Sequence, residues 1–210
     1  MEASLPTSSR RAGDPRIARS EAAILTAVLE LLAADRSFDS LTISEVAGAA
    51  GVTRKTFYAR FGTLERVVHH IVADLFGAIV DGLDDEVLRL PRTDEAASTL
   101  VFRAYDAHRD VLAPLVTRCP AGLFVAPVTE VADRLLDRVL AVNAAPPLTG
   151  ARRDYLLTVV ASVVHGVLSV WVRRGFSEPP EEVAAFMDAL LAEGVERLLL
   201  GAPRDPRGAE

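Results

Sequence analysis

Apolar side chains at Ile17, Ile24, Leu25, Val28, Leu29 and Leu32 recur at helical spacing and share one face. The pattern predicts a helix that opens at Asp14-Pro15, where proline is accepted in the first turn, and closes near Arg36. A shorter helix is predicted from Thr42. Its Ile43, Val46, Ala47 and Ala50 form one narrow apolar face, and Thr42 with Glu45 three residues on makes a capping-box pattern. Gly51 then permits a left-handed turn residue, Val52 plugs the corner, and Thr53 caps a third helix. In that helix Phe57 and Phe61 face inward, whereas Arg54, Lys55 and Tyr58 share a different face.

A long helix is predicted from Thr63, with a stripe that runs from Leu64 through Val67, Ile71, Leu75 and Ile79 to Val87. Gly77 and Gly82 are the places where it bends or breaks, and Pro91 ends it. A helix capped by Thr93 or Asp94 carries Leu100, Val101 and Tyr105. Pro114, Pro120 and Gly122 break up the next region, so a further helix is expected only from Pro127. Residues 143–150, NAAPPLTG, read as a loop. Two long helices, 151–174 and 180–200, close the chain. No segment alternates with the period of a strand, and no internal repeat is found. The expected fold is all-α: an arm over 1–14, a three-helix head over 15–62, a helical body over 63–200 and a frayed tail over 201–210.

Composition agrees with a soluble chain that has a real core: 210 residues, 50% hydrophobic and 25% charged. The net charge of −6 excludes a protein that coats nucleic acid indiscriminately. Residues 1–70 hold nine basic and eight acidic side chains, a balance of +1, which leaves −7 for the remainder. An acidic body with a locally basic end fits contact with DNA through one small surface. Cys119 is the sole cysteine, so no intrachain disulfide forms. The start has no apolar core for a secretory signal, and the cytoplasm is the expected location. Residues 156–172 are apolar but fall at the short edge of the roughly 17–25 residues that span a bilayer. They include Thr158, Ser162, His165 and Ser169, and read as a core or interface helix instead of a membrane span.

The side chains that could carry chemistry exclude most enzyme classes. There is no nucleophile–base pair, phosphate loop or paired-carboxylate cleft, so no catalytic residue and no cofactor are expected. His69 and His70 project about 100° apart on a helix, and with His108, His165 and Cys119 they make no metal-binding spacing. Cys119 reads as an inert thiol. Phe102, Tyr105, Phe124, Val128, Trp171 and Phe176, together with His165, either line a pocket or fill plain core. Two cations beside a phenol and the hydroxyls of Thr53 and Thr56 make a surface suited to phosphates and base edges. The alternative is a helical module that docks a protein partner on the same surface.

The first helix with Ile24-Leu25 and Ala27, then Phe38, Thr42-Ile43, Val46-Ala47, Ala50-Gly51-Val52-Thr53 and Thr56-Phe57-Tyr58-x-x-Phe61, resembles the N-terminal domain of TetR-type transcriptional regulators. The match covers about residues 16–75, and the remainder is similar to that family only in being helical and of suitable length. The resemblance implies a dimeric, sequence-specific DNA-binding regulator, a repressor released from a pseudo-palindromic operator by a small-molecule effector. It implies that residues 53–60 are the recognition helix, with Arg54, Lys55 and Thr56 approaching bases of double-stranded DNA. Thr42, Thr53 and Tyr58 would contact phosphate, and Arg10, Arg11 and Arg16 would reach the backbone or minor groove. The family usually has a lysine where this chain has Leu64, so Thr63 and the helix start are expected to take over that phosphate contact. The resemblance also implies a homodimer through the last two helices. Ala161, Ser162, Gly166 and Ser169 would allow close approach there, and Val163, Val170 and Leu190 would add apolar contact. His165 would lie at a ligand.

Overall fold

The computed structural model describes residues 14–90 and 97–200, with side chains as far as Leu191. The predicted arm, including Arg10 and Arg11, the cap at Thr93 or Asp94, and the tail all lie outside the described residues. Among the described residues the regular structure is entirely helical: α1 (Pro15–Ala33), α2 (Ile43–Ala49), α3 (Arg54–Arg60), α4 (Leu64–Asp81), α5 (Ala97–Ala107), α6 (Arg109–Arg118), α7 (Ala121–Val142), α8 (Ala151–Arg173) and α9 (Pro180–Leu200). Two short 3₁₀ turns, Phe38–Ser40 and Asp85–Leu88, follow α1 and α4.

The head forms as its caps dictate. The Asp14 side chain accepts from the Arg16 backbone NH at 2.9 Å, with Pro15 opening α1. The helix stops at Ala33, three residues earlier than expected, because Asp35 turns to φ 68°. Phe38 then tucks its ring into the core from a 3₁₀ turn. α1 buries Ile24, Leu25, Val28 and Leu32 against the inner faces of α2, α3 and α4, where Val46, Phe57, Val67 and Ile71 meet it in one continuous core.

α4 passes from the head into the body. It ends at Asp81, not near Pro91: Gly82 closes it, and Leu83 and Val87 fall beyond the helix. The end is held by α7, because Arg138 donates to the carbonyls of Val80 at 2.9 Å and Leu83 at 2.8 Å while pairing with Asp85. A guanidinium on the last carbonyls satisfies groups that a helix terminus leaves open. α4 packs on α7, α7 on α8, and α5 on α9, which builds the body around Phe76, Leu112, Phe124, Leu168 and Trp171.

The region of Pro114 and Pro120 is a correction to the sequence reading. Pro114 lies inside α6, and Pro127 lies buried inside α7, which begins six residues before it. A proline removes one backbone bond. Here burial of Val111, Leu112, Leu115 and Val116 around Pro114, and of Phe124, Val128 and Val131 around Pro127, offsets that loss.

Head and body meet where the end of α6 approaches the end of α1, and Arg118 pairs there with Asp35. Cys119 caps α6 at this seam. Burial, reinforced by Asp39, pushes its thiol up to about 12, so it stays protonated and unreactive at neutral pH. Elsewhere α4 joins the two parts through His70, whose ring packs edge-on against Phe61 at 5.6 Å, and His69, 3.1 Å from Glu130 of α7.

Two outcomes follow. Phe57 is 0% exposed, so Phe57→Ala should cost about 3–5 kcal/mol of unfolding free energy, measured by urea denaturation. At pH 8 the native Cys119 thiol should react with a disulfide reagent at least about a hundredfold more slowly than the urea-unfolded chain, since its thiolate fraction is suppressed.

Candidate nucleic-acid interface

The surface of interest is built by two tight turns. In α2 the capping box is complete: Glu45 NH donates to Thr42 Oγ1 at 3.2 Å, and Thr42 NH donates to Glu45 Oε2 at 3.0 Å. Thr42 Oγ1 also donates to Glu45 Oε2 at 2.7 Å, and Arg36 reaches the other carboxylate oxygen at 3.3 Å. The Thr42 hydroxyl first, then the Thr42 backbone and Arg36, hold the Glu45 carboxyl below its ordinary range. It therefore stays ionised and keeps Thr42 exposed at the helix start. Gly51, at φ 64°, turns the chain, and Val52 NH closes the corner on Ala47 O at 2.9 Å.

Thr53 caps α3 by accepting from Thr56 NH at 3.1 Å, and the two hydroxyls lie 2.9 Å apart. Inward, Phe57 and Phe61 are buried with ring centroids 6.4 Å apart. Outward, Arg54, Lys55 and Tyr58 are exposed, and Tyr58 stands edge-on to Phe57 at 6.1 Å. Neither Arg54 nor Lys55 has an ion-pair or hydrogen-bond partner among the described residues, so both charges face solvent. Gly62 at φ 76° ends this helix, and Thr63 caps α4 by accepting from Arg66 NH at 3.3 Å.

The sequence-selected residues are thus largely brought together. Arg54, Lys55, Thr56 and Tyr58 share one short helix, with Thr53 at its cap, and Thr42 and Thr63 cap the helices before and after it. Arg16 is exposed near the start of α1 with its guanidinium unpaired among the described residues. Leu64 is half-buried against the core, which explains why a leucine suits this position. Arg60 is half-buried, and its Nε is enclosed without a partner among the described residues.

The body holds a cavity of ≈250 Å³ between α5, α7, α8 and α9. Phe102 and Tyr105 line it. Phe124, Val128, His165 and Trp171 do not, which corrects the sequence reading. Phe124, Val128 and Trp171 are buried core, with the Trp171 indole NH donating to Glu178 O at 2.9 Å and its ring against Phe176 at 4.9 Å. His165 packs on Phe124, and burial first, then Arg173, lowers its pKa, so the ring is neutral. The wall includes Leu135, Val139, Leu156 and Val160, which lie far apart in sequence and carry no local signal.

The outer faces of α8 and α9 bring a second correction. Ala161 is 0% exposed and Ser169 is buried, so both look into the protomer and offer no contact to another chain. Ser162, Gly166, Val170 and Leu190 do face outward. They are joined by Tyr155, Val159 and Phe186, which the sequence reading passed over although 155/159 and 186/190 are i,i+4 pairs. By length and composition α8 could also cross a membrane, but its inner side is packed in the helical body.

Residues 24–71 match the family described as bacterial regulatory proteins, tetR family. Over 105 residues the chain is 30% identical to the HTH-type transcriptional regulator EthR of Mycolicibacterium smegmatis, covering 48% of this chain and 46% of that protein. The chain therefore spans about half the length of this relative. Among solved structures, the TetR family repressor AlkX from Dietzia sp. strain DQ12-45-1b superposes with a TM-score of 0.55 at 20% identity, over 84% of this chain and 98% of that one. The dihydroxyacetone kinase operon activator DhaS superposes with a TM-score of 0.52 at 15% identity, over 86% and 97%. These likenesses carry the fold beyond the head, and residues 24–71 are similar to the N-terminal domain of the tetR family of bacterial regulatory proteins.

Proposed function

We propose that the protein is a dimeric, sequence-specific transcriptional repressor of the cytoplasm that leaves its operator when a small molecule occupies the body. The observation that carries this reading is the outer face of α3. Arg54, Lys55 and Tyr58 stand exposed there, on a helix whose opposite side is locked by Phe57 and Phe61. Such a helix fits the major groove, with Arg54, Lys55 and Thr56 at base edges. Thr42, Thr53, Tyr58, Thr63 and Arg16 surround it at the level of phosphates. Two-fold symmetry then asks for a pseudo-palindromic operator with half-sites one helical turn, or a multiple, apart.

The apolar outer face of α8 and α9 supports self-association. Tyr155 is 73% exposed, Phe186 56% and Leu190 55%, and exposed apolar residues grouped in this way mark an interaction surface. A self-complementary patch of this kind suits a two-fold dimer. The head spacing in that dimer would be set through α4, which belongs to both parts of the protomer. A ligand that favours one spacing shifts the DNA-binding equilibrium by its differential affinity alone.

The reading is tested by gel shift on the DNA upstream of the protein's own gene. Lys55→Ala and Arg54→Ala should each weaken specific binding by about tenfold or more, and Tyr58→Phe by a few-fold, since a base contact is worth about 1–3 kcal/mol and a phosphate contact less. Binding indifferent to all three changes would defeat the residue assignment. Deleting the gene should raise expression from that promoter in a reporter fusion, and a fall would instead mark an activator. A Cβ at Gly166 meets nothing within 4 Å inside the protomer, so Gly166→Arg should fold normally. It should nevertheless give monomers by light scattering and lose operator binding.

A further inference from the structure

We propose that the body cavity takes an uncharged, mainly hydrocarbon molecule of about ten to twelve non-hydrogen atoms whose single hydrogen-bonding oxygen sits against the Tyr105 hydroxyl. The inference rests on the ligand-released reading above and names the chemical class that such a ligand must have.

Size sets the first limit. An apolar cavity of about 150 Å³ holds benzene, so one of ≈250 Å³ suits a ring with a short chain. The walls set the second. Val101 and Phe102 of α5, Leu135 and Leu136 of α7, and Val160 and Val164 of α8 make most of the lining hydrocarbon.

Ser98 and Asp188 in the lining bond each other, so Tyr105 is the polar group that gives the cavity direction. Its ring is wedged beside Phe76 at 4.9 Å and Phe102 at 5.5 Å, and the residue is 4% exposed. No group hydrogen-bonds its hydroxyl among the described residues. A hydroxyl without a protein partner in an apolar lining gains from a ligand oxygen that hydrogen-bonds to it. Burial raises the pKa of this phenol, so it stays neutral and can donate or accept.

Charge sets the third limit. Among the described residues no cationic side chain lines the cavity, and Asp188 is the one carboxylate in the lining. An anionic ligand would be buried unpaired beside a like charge. An ammonium would have to give up its hydration and compete for a carboxylate that already accepts from the Ser98 hydroxyl at 2.5 Å.

The full chain is titrated calorimetrically with four matched probes: butyrophenone, butylbenzene, 4-phenylbutyrate and 4-phenylbutylamine. The ketone should bind tightest, butylbenzene about fivefold to tenfold more weakly, and both ions at least about thirtyfold more weakly than the ketone. Tyr105→Phe, which conserves the ring, should erase the preference of ketone over hydrocarbon and leave butylbenzene unchanged. Ala132→Leu, which fills the cavity from α7, should weaken both neutral probes at least about tenfold without lowering the Tm. Equal or tighter binding of either ion, or a ketone preference that survives Tyr105→Phe, overturns the proposal. Release of the upstream DNA is scored separately. Tyr105-dependent binding without release supports the ligand class and overturns only the release step. Absence of binding by every probe, in protein that still shifts DNA, overturns the ligand class alone.

Discussion

A seven-residue helix has no stability of its own in water, because nucleation fixes several residues before its hydrogen bonds accumulate. α3 is such a helix, and two phenylalanines on its inner side hold it. Phe57 and Phe61 insert between α1, α2 and α4, so the helix exists only as part of that core. This anchoring fixes the exposed side as well. With 57 and 61 inward, helical geometry leaves Arg54, Lys55 and Tyr58 outward and rigid in register. The precision of the outer face is inherited from packing underneath it.

The same constraint extends into the body. The residues that receive the two phenyl rings belong partly to α4, whose far end is gripped by Arg138 and whose flank carries His69 to Glu130. One helix thus has its first turns in the core of the head and its last turns in the body. A displacement at either end is carried along it, since close-packed cores deform as discrete rearrangements and not continuously. The pair Arg118–Asp35 gives the two parts a second point of attachment off the α4 axis.

Much of the head was legible in the sequence because its boundaries are local events. Thr42 with Glu45, and Thr53, satisfy backbone NH groups within three residues of themselves, and the glycine turn between them needs no distant partner. The start of α8 and of α9 was legible for the same reason, from Gly150 and from Pro179-Pro180. The middle of the chain was not. Pro114 and Pro127 read as breaks, and only contacts from other helices reveal that both sit inside helices. The cavity walls come from five separate stretches, so residue type alone does not separate lining from core: Phe124, Val128 and Trp171 fill core instead. On α8, small residues suggest the outer face, but period alone does not say which way a doubly apolar helix turns. Ala161 and Ser169 fit the tighter inner side, while Tyr155 and Val159 are left outside.

Leu64 has a consequence beyond its own packing. A side chain committed to the core cannot neutralise a phosphate, and the body behind it carries the chain's excess of negative charge. The affinity of a protein for duplex DNA falls with salt in proportion to the phosphates it neutralises, with a logarithmic slope of about −0.9 for each. In the repressor proposed above, the loss of this one contact makes the salt dependence of operator binding shallower by about 0.9 in logarithmic slope. For such a repressor, operator occupancy varies less with ionic strength than it would with a lysine at position 64.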